Sequence, residues 1–212
     1  MPRLARFIGR AFAVLSPLVL AGCLGDINGT VPAAVTRSVM DGQVVVAGPD
    51  GYCVDPRATR ENRDEAFVLL ASCSSVSATP SATAPFAKSL ITVTVTRPAQ
   101  TGEFDASLSG AEAFFRSSDG RSAIAMDGDP SGVSLVSTET TDDMFVLQAE
   151  LSDNGRAEGL GRNQWRAIFV VNDNLLSASV MSLASSELSA ETGMAILQAL
   201  VRKIRATSPK AG

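Results

Sequence analysis

Chemistry in this chain has to be done with a short inventory of side chains. There is no histidine among its 212 residues, and the most reactive groups are three cysteines, Cys23, Cys53 and Cys73. Without imidazole neither a Ser-His-Asp nor a Cys-His arrangement can be assembled, and the commonest zinc and haem ligand is missing. Serine can instead be activated by lysine. Lys88, Lys203 and Lys210 are the only lysines, however, and none lies three residues after a serine, so the Ser-x-x-Lys pattern is absent. Carboxylates are numerous, but pairing two of them for acid–base work is a matter of geometry rather than spacing. Asp127-Gly128-Asp129-Pro130 could be taken for a calcium loop; lacking the spaced oxygen ligands and the closing glutamate, it reads as a turn. The charged residues 57–65 (Arg57, Arg60, Glu61, Arg63, Asp64, Glu65) suit either an anion site or a solvated loop or helical turn, and the second is preferred. No catalytic set, metal site or cofactor is implied.

The first cysteine stands in a distinctive setting. Arg3, Arg6 and Arg10 precede an uncharged run over residues 11–20, and Leu20-Ala21-Gly22-Cys23 follows. A run of that length suits a signal-peptide core of roughly 7–15 residues better than a spanning helix of about 20. An ordinary signal peptide cut after Ala21-Gly22, or an uncleaved anchor, would use the same leader. The cysteine directly after Leu-Ala-Gly makes the segment resemble the lipobox of bacterial lipoprotein precursors. That resemblance implies a signal peptide over residues 1–22, with Leu20, Ala21 and Gly22 read by the signal peptidase. Cys23 would carry a thioether-linked diacylglyceryl group and usually an N-acyl chain such as palmitate. Two or three acyl chains anchor stably, at about 0.8 kcal/mol per buried CH₂. Lipoprotein sorting by analogy takes Leu24, rather than Asp, after the cysteine to point to the outer membrane, with the chain facing the periplasm.

Losing the three leader arginines would move the net charge from −4 to −7. So acidic a chain argues against nucleic acid and against electrostatic docking on anionic lipid. With Cys23 lipidated, Cys53 and Cys73 remain, and an even pair in an exported protein reads as a disulfide; two free or metal-binding thiols are the rival reading.

Residues 23–42 read as a flexible, lipid-bearing tether. Residues 43–47 and 52–56, around Gly48-Pro49-Asp50-Gly51, predict an N-terminal hairpin. The apolar run 66–73 predicts a strand buried on both faces, and residues 74–89 an exposed Ser/Ala/Pro loop. Alternating Leu/Ile/Val and Thr over 90–96 predicts a strand with one wetter face. The spacing of Leu108, Ala111, Phe114 and Phe115 favours a short helix over a strand, and 121–126 a short strand or a continuation. Segments 133–138, 144–151, 165–171 and 175–183 predict an antiparallel meander, with the single Trp165 anchoring the core. Ser189 caps a helix to about Ala206, with Met194, Leu197, Val201 and Ile204 on one stripe.

These elements predict one α+β domain over residues 43–208, an antiparallel sheet flanked by helices. The order resembles the PsbP-like sandwich. Gly51-Tyr52-Cys53-Val54-Asp55, Phe67-Val68-Leu69-Leu70-Ala71-Ser72-Cys73 and Trp165-Arg166-Ala167 are similar to uncharacterised alphaproteobacterial lipoproteins. The resemblance implies an accessory or binding module rather than an enzyme; the anchor, the tether and a stapled domain without a catalytic set predict a membrane-anchored module that contacts another envelope protein. A carrier of a small apolar ligand held between helix and sheet is the alternative, and a histidine-independent hydrolase the remote one.

Overall fold

The computed structural model describes residues 34–77, 83–97, 108–141 and 143–210. The expectations for the leader, for Leu20, Ala21, Gly22 and Cys23, for residues 23–33 of the tether, for the middle of the 74–89 loop and for Asp142 of the 141–143 turn lie outside the described residues.

Among the described residues, ten strands run in order: β1 Thr36–Val39, β2 Val44–Ala47, β3 Tyr52–Val54, β4 Arg60–Glu61, β5 Glu65–Ser72, β6 Ser89–Thr96, β7 Val133–Thr140, β8 Met144–Leu151, β9 Leu160–Val171 and β10 Asn174–Leu183. The helices are α1 Cys73–Val76, α2 Leu108–Arg116, α3 Ser118–Ser122 and α4 Ala190–Thr207, with a 3-10 turn at Pro130–Gly132. Eight strands form one antiparallel sheet in the order β3-β5-β6-β10-β9-β8-β7, with β4 also paired to β5; β1 and β2 form a separate two-stranded sheet. The meander is therefore one half of a larger sheet. Its last strand, β10, pairs with β6 as well as with β9, from Leu175↔Thr96 to Ser182↔Ser89, and this joins the two halves of the chain.

Period-2 alternation sorts the side chains onto two faces. Ala66, Val68, Leu70, Ile91, Val93, Val95, Trp165, Ala167, Phe169, Leu176, Ala178 and Val180 turn to one face and are buried in one core with α4 and with Val39, Met40, Val44 and Val46 of the β1–β2 unit. That helix begins where Ser189 accepts a hydrogen bond from Thr192 N. It buries Ile196, Leu197, Leu200, Val201 and Ile204, each contributing about 1.5–3 kcal/mol of transfer free energy. Gly193 lets the helix lie directly on the Trp165 ring, which a Cβ would overlap. At its far end Val45 N donates to Ser208 Oγ (3.0 Å) and Thr207 Oγ1 to Val45 O (3.1 Å), so β2 is clamped to the helix C-terminus. The opposite face is covered by α2 over β7–β9. There Phe115 stacks on Phe145 (centroids 5.6 Å apart) above Leu147, Ala149 and Ile168.

The expected helix-flanked α+β sandwich of PsbP-like form is overturned. The described residues are mostly β, with 43% strand against 23% helix and few helices. The helical stretches are as predicted at α2 and α4, but they are outweighed because 36–39, 60–61 and 160–164 also pair as strands. The N-terminal hairpin is corrected too. Gly48-Pro49-Asp50-Gly51 does turn, with Tyr52 N on Pro49 O and Gly51 at φ +86°. It carries the chain from one sheet to the other: β2 pairs with β1 and β3 with β5. Residues 36–39, within the stretch read as tether, form β1. Residues 57–65 include the short strand β4; their charged residues are exposed apart from the half-buried Asp64, and Glu61 accepts from Met40 N (2.8 Å) and pairs with Arg37 (3.5 Å). Residues 121–126 are helix and turn rather than strand, because Ser117 caps α3 through Gly120 N (3.2 Å). Strand β5 is buried on one face, while Phe67, Leu69 and Ala71 on its other face stay half-buried.

A disulfide joins Cys53 to Cys73. It fastens β3, at the sheet edge, to the residue that follows β5. Among the described residues no helix is long and apolar enough to cross a membrane.

Candidate functional site

On the face opposite α4, helix α2 covers β7–β9, and beside that cover lies a groove. Its cavity is about 350 Å³, within the range of roughly 300–1,000 Å³ occupied by small-molecule sites. The floor follows from strand register. Leu69 pairs with Thr92, Thr92 with Ser179, and Ser179 with Arg166; one row along, Leu90 pairs with Met181 and Met181 with Gln164. All of these side chains therefore point the same way, and Phe67 extends the apolar floor along β5. The wall is built by Ile124 and Met126 after α3, by Gly155, Arg156 and Ala157 of the connection between β8 and β9, and by Leu160 at the start of β9. Met126 N donates to Gly155 O (2.9 Å) and Gly155 N to Ser152 Oγ (3.2 Å), tying the two parts of that wall together.

Two guanidinium groups, those of Arg156 and Arg166, interrupt a lining whose other polar members are Thr92, Asn163 and Gln164. Arg166 lies on the border between the filled and unfilled parts of the face. Its Cζ sits 6.0 Å from the Phe115 ring centroid, and its Nε donates to Ser179 Oγ at 3.1 Å. The side chain keeps partial exposure through the groove mouth, yet it is so crowded by protein that burial pushes its pKa down to about 10. It remains a cation at neutral pH, poorly solvated. Arg156 pairs through Nη2 with Asp153 at 2.7 Å, while its Nη1 is buried without a hydrogen-bond partner. Among the described residues the lining contains no Asp or Glu. Beside that rim Asp153 is taken up by Arg156, and Glu187 is held by β9 instead. It accepts from Arg162 N (2.7 Å) and Asn163 Nδ2 (3.3 Å). Burial pushes its pKa up, but the hydrogen bonds from Arg162, Ser182 and Asn163 outweigh this and hold it below the usual range.

No family model, curated protein or solved structure matches this chain.

Of the residues singled out from the sequence, Cys53 and Cys73 border a second crevice with Gly48, Pro49, Asp50 and Lys203, outside the groove lining. The Asp127–Pro130 stretch is a turn: Asp127 Oδ1 accepts from Asp129 N (3.0 Å), and Asp129 Oδ1 from Ser131 N (2.9 Å). The Ser131 hydrogen bond holds Asp129 below the usual carboxylate range. Among the described residues no three potential metal ligands come together. Trp165 is fully buried, in mid-strand rather than at a strand start. The groove itself was missed. Its signal was Arg166, a charge set between Trp165 and Ala167-Ile168-Phe169 in a strand that alternation would make half-buried.

Proposed function

We propose that this is a bacterial envelope lipoprotein, held to the membrane by lipid on Cys23 and facing the periplasm. Its folded domain acts there as a non-catalytic accessory module that binds a small, largely apolar ligand. The anchor rests on the Leu20-Ala21-Gly22-Cys23 lipobox behind a basic, then apolar, leader. The observation that carries the ligand reading is the groove, a shaped cavity of about 350 Å³ walled by Phe67, Leu69, Leu90, Ile124, Met126 and Met181. The space between α4 and the sheet is filled by Trp165, Phe169, Leu197 and Leu200, all essentially inaccessible to solvent. The ligand therefore belongs on the other face.

Mass spectrometry of the protein extracted from membranes tests both halves of the proposal. Intact mass should correspond to a chain beginning at Cys23 with added acyl chains, and native spectra should retain a small molecule lost on denaturation. An unmodified N-terminus removes the anchor. A ligand-free spectrum that is unchanged by Leu69→Trp and by added amphiphiles removes the groove as a site.

A further inference from the structure

We infer that the occupant of the groove is an amphiphile with one compact anionic head, a carboxylate or a phosphate, bound by the guanidinium groups of Arg156 and Arg166. This rests on the reading of the groove as a ligand site and names the ligand class. Two cations line a cavity whose other residues are mostly apolar, with Thr92, Asn163 and Gln164 as its neutral polar members and no carboxylate among its described lining residues, on a chain whose net charge is −4. A buried N–H of guanidinium that lacks an acceptor carries a desolvation penalty, and Nη1 of Arg156 is such a group. Among the described residues the Arg166 side chain donates one hydrogen bond, to the neutral Ser179 hydroxyl, leaving its terminal nitrogens for an acceptor in the groove. The planar guanidinium fork suits a carboxylate or phosphate, and charge-assisted hydrogen bonds of this kind are strong where water is scarce. Phe67, Leu69, Leu90 and Met181 of the floor offer an apolar chain a surface, and the neutral groups of Thr92, Asn163 and Gln164 are the other polar contacts of the lining. A free inorganic anion would satisfy the arginines and leave that surface uncovered.

Photo-crosslinking of the full-length protein in amphipol tests this, using a laurate analogue that carries a diazirine on its chain. Label is expected on peptides containing Met126, residues 154–168 or Met181. Unlabelled laurate or lauryl phosphate should compete at concentrations about tenfold or more below lauryl alcohol. Whichever anion competes better identifies the head group. Arg166→Gln and Arg156→Gln should each remove most of the preference for anion over alcohol, while Arg166→Lys should keep part of it. Unchanged labelling of either Gln variant at saturating probe shows that the groove has survived. Equal competition by laurate and the alcohol would overturn the anionic head and leave the groove as an apolar site. Absence of groove label, with Leu69→Trp behaving as wild type, would overturn the site and this inference together.

Discussion

Gly193 and Trp165 show how much one atom can decide. The helix approaches the indole so closely at this position that a single added methyl would overlap the ring. Helix propensity alone favours alanine over glycine by about 1 kcal/mol, whereas forcing a close-packed core apart costs about 1–3 kcal/mol. Packing wins here, because the ring is wholly buried and the overlap falls on its fused bond rather than on a flexible tip. Gly193→Ala is therefore expected to lower unfolding free energy by about 1–2 kcal/mol, read from the urea midpoint. A variant as stable as the parent would mean that α4 can lift from the sheet without loss.

Pairs of carboxylates and cations join elements that are distant in sequence. Asp143, in the turn between β7 and β8, accepts from Thr141 Oγ1 (2.9 Å) and pairs with Arg205 of α4 at 2.6 Å. The Thr141 hydrogen bond first, then the Arg205 charge, hold its pKa below the ordinary carboxylate value. Glu187 is depressed as well: burial raises its pKa, and the hydrogen bonds from Arg162 and Asn163 of β9 and from Ser182 of β10 more than offset this. A carboxyl group whose pKa is lower folded than unfolded stabilises the fold above its unfolded pKa, and that contribution is lost as pH falls through the folded value. Melting temperature is accordingly expected to fall below about pH 4–5. Asp143→Asn and Glu187→Gln should each flatten that acid limb by as much as they lower stability at neutral pH, a small amount because both groups are largely solvated. An acid limb identical in parent and double variant would show that other groups control it.

At the level of the whole molecule, the Cys53–Cys73 disulfide closes a loop with a sequence separation of 20 at the β3 edge. Cross-links of that span raise stability by about 2–4 kcal/mol, mainly through the unfolded chain. The double variant Cys53→Ser/Cys73→Ser is expected to lose about that much in urea unfolding while keeping the far-ultraviolet spectrum of the sheet. A collapsed spectrum would instead make the bond a condition of folding. The same scale explains what could and could not be read beforehand. Strands β7–β10 were legible because local turn clusters separate them; Asn172 and Asp173 adopt positive φ (48° and 61°) in the β9–β10 turn, a conformation to which Asn and Asp are suited. Strand β1 was not, because Thr36-Arg37-Ser38 is exposed and has no apolar periodicity. The false hairpin of residues 43–47 with 52–56 arose because a turn signal specifies a bend but not the partner of the strand that leaves it.

By itself the sequence determined the terms that depend on neighbours along the chain: the absence of histidine, the alternation of β6, the cap and apolar stripe of α4, and the turns of the meander. Tertiary structure alone decided that β10 would pair with β6, so that one eight-stranded sheet replaces the helix-flanked sandwich. It alone brought Phe67 and Leu69 of β5, Met181 of β10, Arg166 of β9 and Arg156 beyond β8 around one cavity. Register between strands depends on contacts across some hundred residues of chain, as in Val93↔Ala178. A groove is space that those contacts leave unfilled, and it has no counterpart in local sequence.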